Sequence, residues 1–445
     1  MNHYSRELVQ KQYDTIPYPN IPIENSPKDD YNALFIHNLV TPYYLYRQKV
    51  ADTTDKLILD VGCGSGFTTL ILALANPNAR IVAIDLSAES LKFAEKRLKF
   101  HGFENVEYHQ MPLEEIASLG QHYDYINCND VLYLCESPTE ALKSLQSVLK
   151  PEGIIRGNFH SYYQRFYIYL AQELCRCLGL LEDNPGDFEI GVVAETFQNL
   201  RPEVILRRSA SMGLENKDLD LSDIGVKQRV LNNILLQGDK GYNIPQVFEM
   251  LREAKLEFLS MTNWRHWEVR DLFQDKNKIP TTWEFVLENA TEEERLHLFE
   301  LLHPGHRLID FWCVNRDSIS PIKPLSEWDD NDWERARIHL HPQLKAPKVR
   351  EDLLETIKKQ QPWEISKYIT QPAAAPVYIS HNQAAALLPL FSQHLSFSDM
   401  VEYWLKIQPI NLITGETKTR KEAREEVKIL LKELETFLYV LVEKI

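Results

Sequence analysis

The sequence predicts an α/β protein built on an open, mostly parallel sheet, and three observations carry that reading. Between residues 57 and 158, short apolar runs alternate with helix-length segments. The first run ends in the glycine-rich turn Asp60-Val61-Gly62-Cys63-Gly64-Ser65-Gly66, which opens a helix. The second run ends in a single acid, Asp85. Strands that alternate with helices give parallel sheets covered on both faces.

Taken in order, Leu57–Leu59 is a short apolar strand. Thr68–Ala75 is apolar until Asn76-Pro77 stops it, which predicts a buried helix. Ile81–Ile84 is the second strand, and Ser87 caps a helix with Leu91, Ala94 and Leu98 on one face, ending near Gly102. Val106–Tyr108 and Tyr123–Asn127 are the third and fourth strands, Ala141–Leu149 is a helix, and Ile154–Asn158 is the fifth strand. Leu256–Thr262 and Leu308–Val314 read as the sixth and seventh strands of the same sheet.

This divides the chain as follows. Residues 1–160 and 250–317 form the sheet and its helices, and 161–249 are a helical insertion, a candidate substrate cap. Residues 318–349, with Pro321, Pro324, Pro342 and Pro347, are a linker. Residues 350–445 are a separate, mainly helical unit, whose deletion should leave ligand binding by the sheet intact.

The 445 residues include 49 Lys+Arg against 64 Asp+Glu, a formal charge of −15. Such an acidic chain disfavours nucleic acid as a partner. Six cysteines are too sparse for a disulfide scaffold, so buried thiols in a reducing compartment, the cytoplasm, are expected. The start MNHYSRELVQ lacks a signal-peptide apolar core, and no apolar run approaches the roughly 18 residues of a membrane span. A homodimer is compatible with these observations.

The glycine turn carries the most chemistry. A helix N-terminus suits an anionic group, and glycines let a ligand approach the backbone. A phosphate-cradling loop needs Gly-Lys-Ser/Thr, which this turn lacks. A dinucleotide turn is G-x-G-x-x-G, and here Phe67 stands where the third glycine belongs. The pattern is an acid, Asp60, heading G-x-G-x-G. An acid there repels pyrophosphate but suits an ammonium. Asp85, 19 residues after Gly66, is placed to accept from ribose hydroxyls. A ligand with an ammonium, a carboxylate and a ribose describes S-adenosyl-L-methionine. The alternative is that Asp60 and Asp85 are turn and cap residues only.

LILDVGCGSG, IVAIDLS, YDYINCNDVLYL and LKPEGII resemble the successive motifs of class I S-adenosylmethionine-dependent methyltransferases. The resemblance covers about residues 30–160, continues more loosely to 314, and is closest to an uncharacterised bacterial, cyanobacterial subgroup with a C-terminal extension. QAAALLPLF, VEYWL and FLYVLV resemble a winged-helix-like module. The resemblance implies a Rossmann-like sheet of seven strands, the last antiparallel. It also implies site roles. Asp60 would hold the methionine amino group by way of the turn, and Gly62, Cys63, Gly64 and Gly66 would line the methionine moiety. Asp85 would hold the ribose and Leu86 would pack on adenine. The carbonyl of Asn129 would face the ammonium. The family often has an acid after the third strand. This chain has Gln110-Met111-Pro112-Leu113 there, so Met111 and Leu113 would grip adenine instead.

The acceptor should sit past the ends of strands four and five. Methyl transfer from a sulfonium needs positioning first, worth roughly 7–11 kcal/mol, and a base only if the acceptor arrives protonated. His160, Asp130 and Tyr133 are the candidate catalytic residues. The alternatives are a packed polar residue for His160, a helix cap for Asp130 and a packing ring for Tyr133. The absence of N-P-P-Y after strand four argues against nucleic-acid bases and glutamine as acceptors. That leaves a small molecule or a protein side chain. Tyr13 and Tyr18, in a segment with Pro17, Pro19 and Pro22, are placed to form either a lid over the cofactor or a strap over the sheet edge. Two other functions remain open, a cofactor sensor with a partner-binding tail and a nicotinamide oxidoreductase.

Overall fold

The computed structural model describes residues 10–14, 18–411 and 413–445. Pro17, named above in the N-terminal segment, lies outside them. The main sheet holds β1 (Leu57–Val61), β2 (Arg80–Asp85), β3 (Val106–Gln110), β4 (Tyr123–Cys128), β5 (Leu149–Ser161), the short β6 (Gly241–Tyr242), β7 (Leu256–Met261) and β8 (Leu308–Asn315). Their order is β3-β2-β1-β4-β5-β8-β7, with β6 paired beside the end of β5. β1 to β5 are mutually parallel, and β8 runs antiparallel to both β5 and β7. All five residues of β1 are buried, as a strand covered on both faces requires. Sheet order reverses between β1 and β4, which opens a crevice at their C-terminal ends.

Local sequence explains the covering helices. Helix Phe67–Ala75 starts directly from the glycine turn and buries Leu70, Ile71 and Leu72. Helix Ala88–Phe100 starts at Ser87, whose side chain accepts from the Ser90 amide, and buries Leu91, Ala94 and Leu98. Gly66 permits their approach, because a Cβ there would stand 2.5 Å from Ala94 Cα.

The insertion has its own apolar core, with Ala171, Cys175, Val193, Phe197, Val230 and Ile234 among its members. The chain rejoins the sheet at β6. Helix Ile244–Glu253 therefore packs Ile244, Val247 and Leu251 with the main core rather than with the insertion, although its first residues fall within the expected 161–249.

Residues 318–349 are not a linker. They carry a helix at Asp330–Glu334 and strand β9 (Ala336–Leu340), which pairs with β12 (Leu395–Ser396) and β13 (Val440–Lys444). A two-residue pair, β10 (Trp363–Glu364) and β11 (Tyr378–Ile379), lies nearby. Along β9, Ala336, Ile338 and Leu340 are buried between partly exposed Arg337 and His339, the alternation of a half-buried strand. The prolines flank these elements rather than interrupt them.

The C-terminal residues also do not stand apart. Their mainly helical core includes Tyr31, Phe35, Val40 and Tyr44, from helices Tyr31–His37 and Val40–Arg47 at the other end of the chain. Tyr44 accepts from the Val442 amide at 3.0 Å, and its hydroxyl lies 3.0 Å from Glu435 Oε1. Among the described residues no helix is long and apolar enough to cross a membrane.

Candidate active site

A cavity of about 270 Å³ lies in the crevice where the sheet order reverses. Its floor is the glycine turn. Gly62, Gly64 and Gly66 all have positive φ, at 67°, 51° and 78°. A Cβ on Gly62 would lie 2.4 Å from Val131 Cγ2, and one on Gly64 would lie 2.2 Å from the Tyr18 carbonyl oxygen. The turn is therefore a cradle that side chains would fill. The amides of Gly62 and Cys63 both point to the Ile84 carbonyl, at 2.9 and 3.0 Å.

Asp85 closes one side of the cradle. Its carboxylate accepts from the Gly64 amide and the Ser87 amide, each at 2.8 Å. Burial holds its carboxyl above the ordinary range, opposed by those two amide bonds. Leu86, Met111 and Leu113 continue the wall beyond it, giving an acid followed by an apolar slot. Ser90 Oγ on the same wall is buried without a protein partner.

Asp60 does not reach this wall. It is buried behind the turn, where Oδ2 accepts from Thr69 Oγ1 at 2.7 Å and Oδ1 from Asn127 Nδ2 at 2.8 Å. Burial raises its carboxyl to about 6 despite those two bonds. Asp60 thus fixes the start of the turn and makes no direct contact with the cavity. Gly66 is likewise off the wall and serves helix packing. Gly62, Cys63, Gly64, Asp85, Leu86, Met111, Leu113 and Asn129 all line it.

The far end of the cavity is polar and aromatic. Asn129, Asp130 and Tyr133 follow β4, Tyr13 and Tyr18 come from the N-terminal segment, Asn232 and Leu236 from the insertion, and Arg307 from the residue just before β8. Asp130 has φ 56° and donates its amide to Asn158 Oδ1 at 2.9 Å. Its carboxylate accepts from Tyr133 Oη and Asn129 Nδ2, both at 3.2 Å, with Arg307 Nη2 at 3.8 Å. Asp130 caps no helix, since the turn Leu132–Leu134 begins after Val131 without a side-chain cap bond. Burial and then Asp130 hold the Tyr133 phenol above its ordinary value, and the same two causes act first on Tyr13 and Tyr18. All three therefore stay protonated donors at neutral pH.

His160 is not on the wall and is not a free base. β5 extends through Ser161, so His160 lies within the sheet, opposite Gly241 and Leu308. Its Nδ1 lies 2.7 Å from Asp239 Oδ1, and its Nε2 accepts from Arg307 Nη1 at 3.2 Å. A neutral ring with its proton on Nδ1 satisfies both contacts. Burial holds the imidazole below its ordinary value, against the pull of Asp239. The ring stacks on Tyr133 at 3.7 Å.

Tyr13 and Tyr18 join a strap that is pinned to the turn. The Tyr18 carbonyl accepts from the Ser65 amide at 2.9 Å, and the Pro19 carbonyl from Ser65 Oγ at 2.7 Å. Arg97 joins the Ser65, Pro22 and Ile21 carbonyls. Gln12 reaches the insertion through the Leu231 carbonyl at 3.1 Å. Thr68, Asn232, Leu236 and Arg307 were not marked by the sequence. Only Thr68 stood beside a recognised motif.

These features meet the needs of S-adenosylmethionine. The cradle, the carboxylate of Asp85, the apolar slot and the orphaned Ser90 hydroxyl offer backbone approach, a ribose acceptor, an adenine site and a spare polar partner. Comparison with known proteins agrees. Residues 52–179 match the family profile of a methyltransferase domain. An uncharacterised protein of Synechococcus sp. is 29% identical over 333 residues, covering 73% of this chain and 74% of its own length. The malonyl-acyl-carrier-protein O-methyltransferase of Halalkalibacterium halodurans is 32% identical over 161 residues, which are 34% of this chain and 56% of that protein. In fold, the chain is similar to PKMT2 from Rickettsia typhi in complex with AdoHcy, with a TM-score of 0.57 at 15% identity over 96% of this chain and 77% of that one. Residues 52–179 are thus a methyltransferase domain on a Rossmann-like sheet, and its cofactor is S-adenosylmethionine. Its relatives include the uncharacterised cyanobacterial protein with which it shares most of its length.

Proposed function

We propose that the protein transfers a methyl group from S-adenosylmethionine to an acceptor, a small molecule or a protein side chain, held beneath the insertion. The observation that carries this reading is that the cavity continues past the cofactor cradle. Beyond Asn129 it gains a carboxylate, three phenols and one guanidinium drawn from three parts of the chain. A protein that only senses the cofactor has no need of such an end.

When bound, the cofactor supplies an already activated methyl group, so the chain's own work is mainly placement. Asp85 would hold the ribose, the Gly62–Gly64 backbone would take the methionine part, and Leu86, Met111 and Leu113 would enclose the adenine. Asp60 stiffens the turn from behind. At the far end Asp130 is the group placed to receive a proton from the acceptor, with the Tyr133 hydroxyl orienting its Oδ1. Arg307 is half exposed, faces Asp130 and offsets its charge. The strap and the insertion exclude water from the space between.

The test has two parts. Calorimetry with AdoHcy measures the cradle directly. Methyl-labelled S-adenosylmethionine with fractionated cell extract then reports transfer, with Asp130→Asn as the comparison. Transfer by the unaltered protein that falls at least tenfold in Asp130→Asn is the expected result. AdoHcy binding with no labelled product from any fraction would reject the reading.

A further inference from the structure

Where the insertion leaves the sheet and returns to it, one buried carboxylate gathers several donors. Asp239, near the end of the insertion, has a fully buried side chain. Its Oδ2 accepts from Arg165 Nη2 and Gln172 Nε2, each at 2.9 Å, and its Oδ1 faces His160 Nδ1. Arg165 and Gln172 also bond to Asn233, through its side-chain oxygen at 2.9 Å and its carbonyl at 2.7 Å. The cluster thus ties together the end of β5, the helix Phe166–Cys177 and the returning segment 232–239.

Two routes lead from this cluster to the cavity. The segment it holds supplies Asn232 and Leu236 to the wall. His160 presents its ring face to Tyr133 at 20° to parallel, and Tyr133 donates to Asp130. A buried ion pair costs desolvation that apolar packing would avoid, so it is a poor device for stability alone. It is a good device for fixing direction, because bonds to a carboxylate are short and angular.

We propose that Asp239 is a positioning residue for the acceptor end. It sets the insertion wall and, through His160, the orientation of Tyr133 and Asp130, and leaves the cofactor cradle untouched. That end's role in methyl transfer rests on the function proposed above, but the coupling itself does not.

The experiment places 3-fluorotyrosine at position 133 of the full chain and follows its fluorine resonance during a pH titration, with AdoHcy binding measured in the same samples. In the unaltered protein the phenol should titrate well above free fluorotyrosine. Asp239→Asn should shift the resonance and bring the midpoint down towards the free value, while the AdoHcy Kd stays within about twofold. His160→Gln keeps a donor for Asp239 but loses the ring contact, and should move the resonance in the same way. It also serves if Asp239→Asn fails to fold. Asp332→Asn, which removes an unrelated carboxylate paired with Lys323 and Lys444, should leave the resonance in place. A signal that is unmoved in folded Asp239→Asn or His160→Gln, or that moves equally in Asp332→Asn, overturns the proposal. So does an AdoHcy Kd raised more than tenfold in Asp239→Asn. Absence of AdoHcy binding by the unaltered protein would instead reject the cofactor reading, whatever the fluorine signal does.

Discussion

The carbonyl oxygen of Tyr18 rests against Gly64, so close that a Cβ on the glycine would stand 2.2 Å from it. The strap and the turn are therefore one unit, joined further by the Ser65 amide on that same carbonyl. Gly64→Ala would force either the strap or the turn to move, and would also place a side chain at φ 51°, where an L-residue pays about 1–2 kcal/mol. The expected outcome is a rise of about tenfold or more in the AdoHcy Kd by calorimetry. An unchanged Kd would show that the strap yields freely and does not shape the cradle.

Asp60 gives a pH test. Its carboxyl titrates near 3.8 when exposed and at about 6 in the folded chain, because burial disfavours its charge. Between those values the folded state binds the extra proton, so stability is present at low pH and is lost as pH rises through about 6. The loss is on the order of 3 kcal/mol by neutral pH. Asp60→Asn has no such proton. Urea unfolding at pH 4 and pH 7 should show the unaltered protein losing about that much relative to the variant. A constant difference between the two proteins would mean that burial does not raise the Asp60 carboxyl.

The sheet and its cradle were legible because local patterns specify them. Apolar runs, glycines and strand-end acids sit within residues 57–113, and each signal acts on its near neighbours. The departures have long-range causes. His160 was expected in a loop after a strand ending at Asn158. β5 runs on through Ser161 because antiparallel β8, about 150 residues downstream, pairs along it as far as His160 and Leu308. Asp60 was expected near the ligand. Its side chain turns instead towards Asn127, its register partner on β4, and Thr69. The alternating run at 336–340 was present in the sequence, but prolines on either side hid it. Arg307 gave no signal, since only the placement of β8 brings it to Asp130.

A second ion pair, its arginine buried, joins β5 and β8 to helix Tyr31–His37. Arg156 binds Asp310 through two bonds, at 3.0 and 2.7 Å, and its third nitrogen faces His37 Nε2 at 2.6 Å. Burial and the guanidinium keep His37 well below its ordinary value, so it stays a neutral acceptor. Asp310→Ala would leave Arg156 buried without its counter-ion, at a cost of about 3–5 kcal/mol. Urea denaturation should show this as a lower midpoint with an unchanged slope. A loss below about 1 kcal/mol would mean that water reaches the freed guanidinium.

Removing residues 350–445 should not leave a sheet that still binds the cofactor. The expectation that it would treats the C-terminal residues as separate, but Tyr31, Phe35, Val40 and Tyr44 are buried in their core. His341 adds a buried bond to Thr41 at 3.0 Å. Truncation would expose the apolar faces of helices Tyr31–His37 and Val40–Arg47, together with Ile338 and Leu340 of β9, as one contiguous patch. Those two helices also lead directly from the strap that covers the cradle, so losing their support should cost cofactor affinity as well as solubility. The expected product is aggregated protein without AdoHcy binding, read by size-exclusion chromatography and calorimetry. Tyr44→Phe in the full chain is the milder version. It leaves the Val442 amide and Glu435 without their shared hydroxyl and should cost about 1–3 kcal/mol of unfolding free energy. A soluble truncated chain that binds AdoHcy as tightly as the full chain would show that the two ends of the sequence fold independently after all.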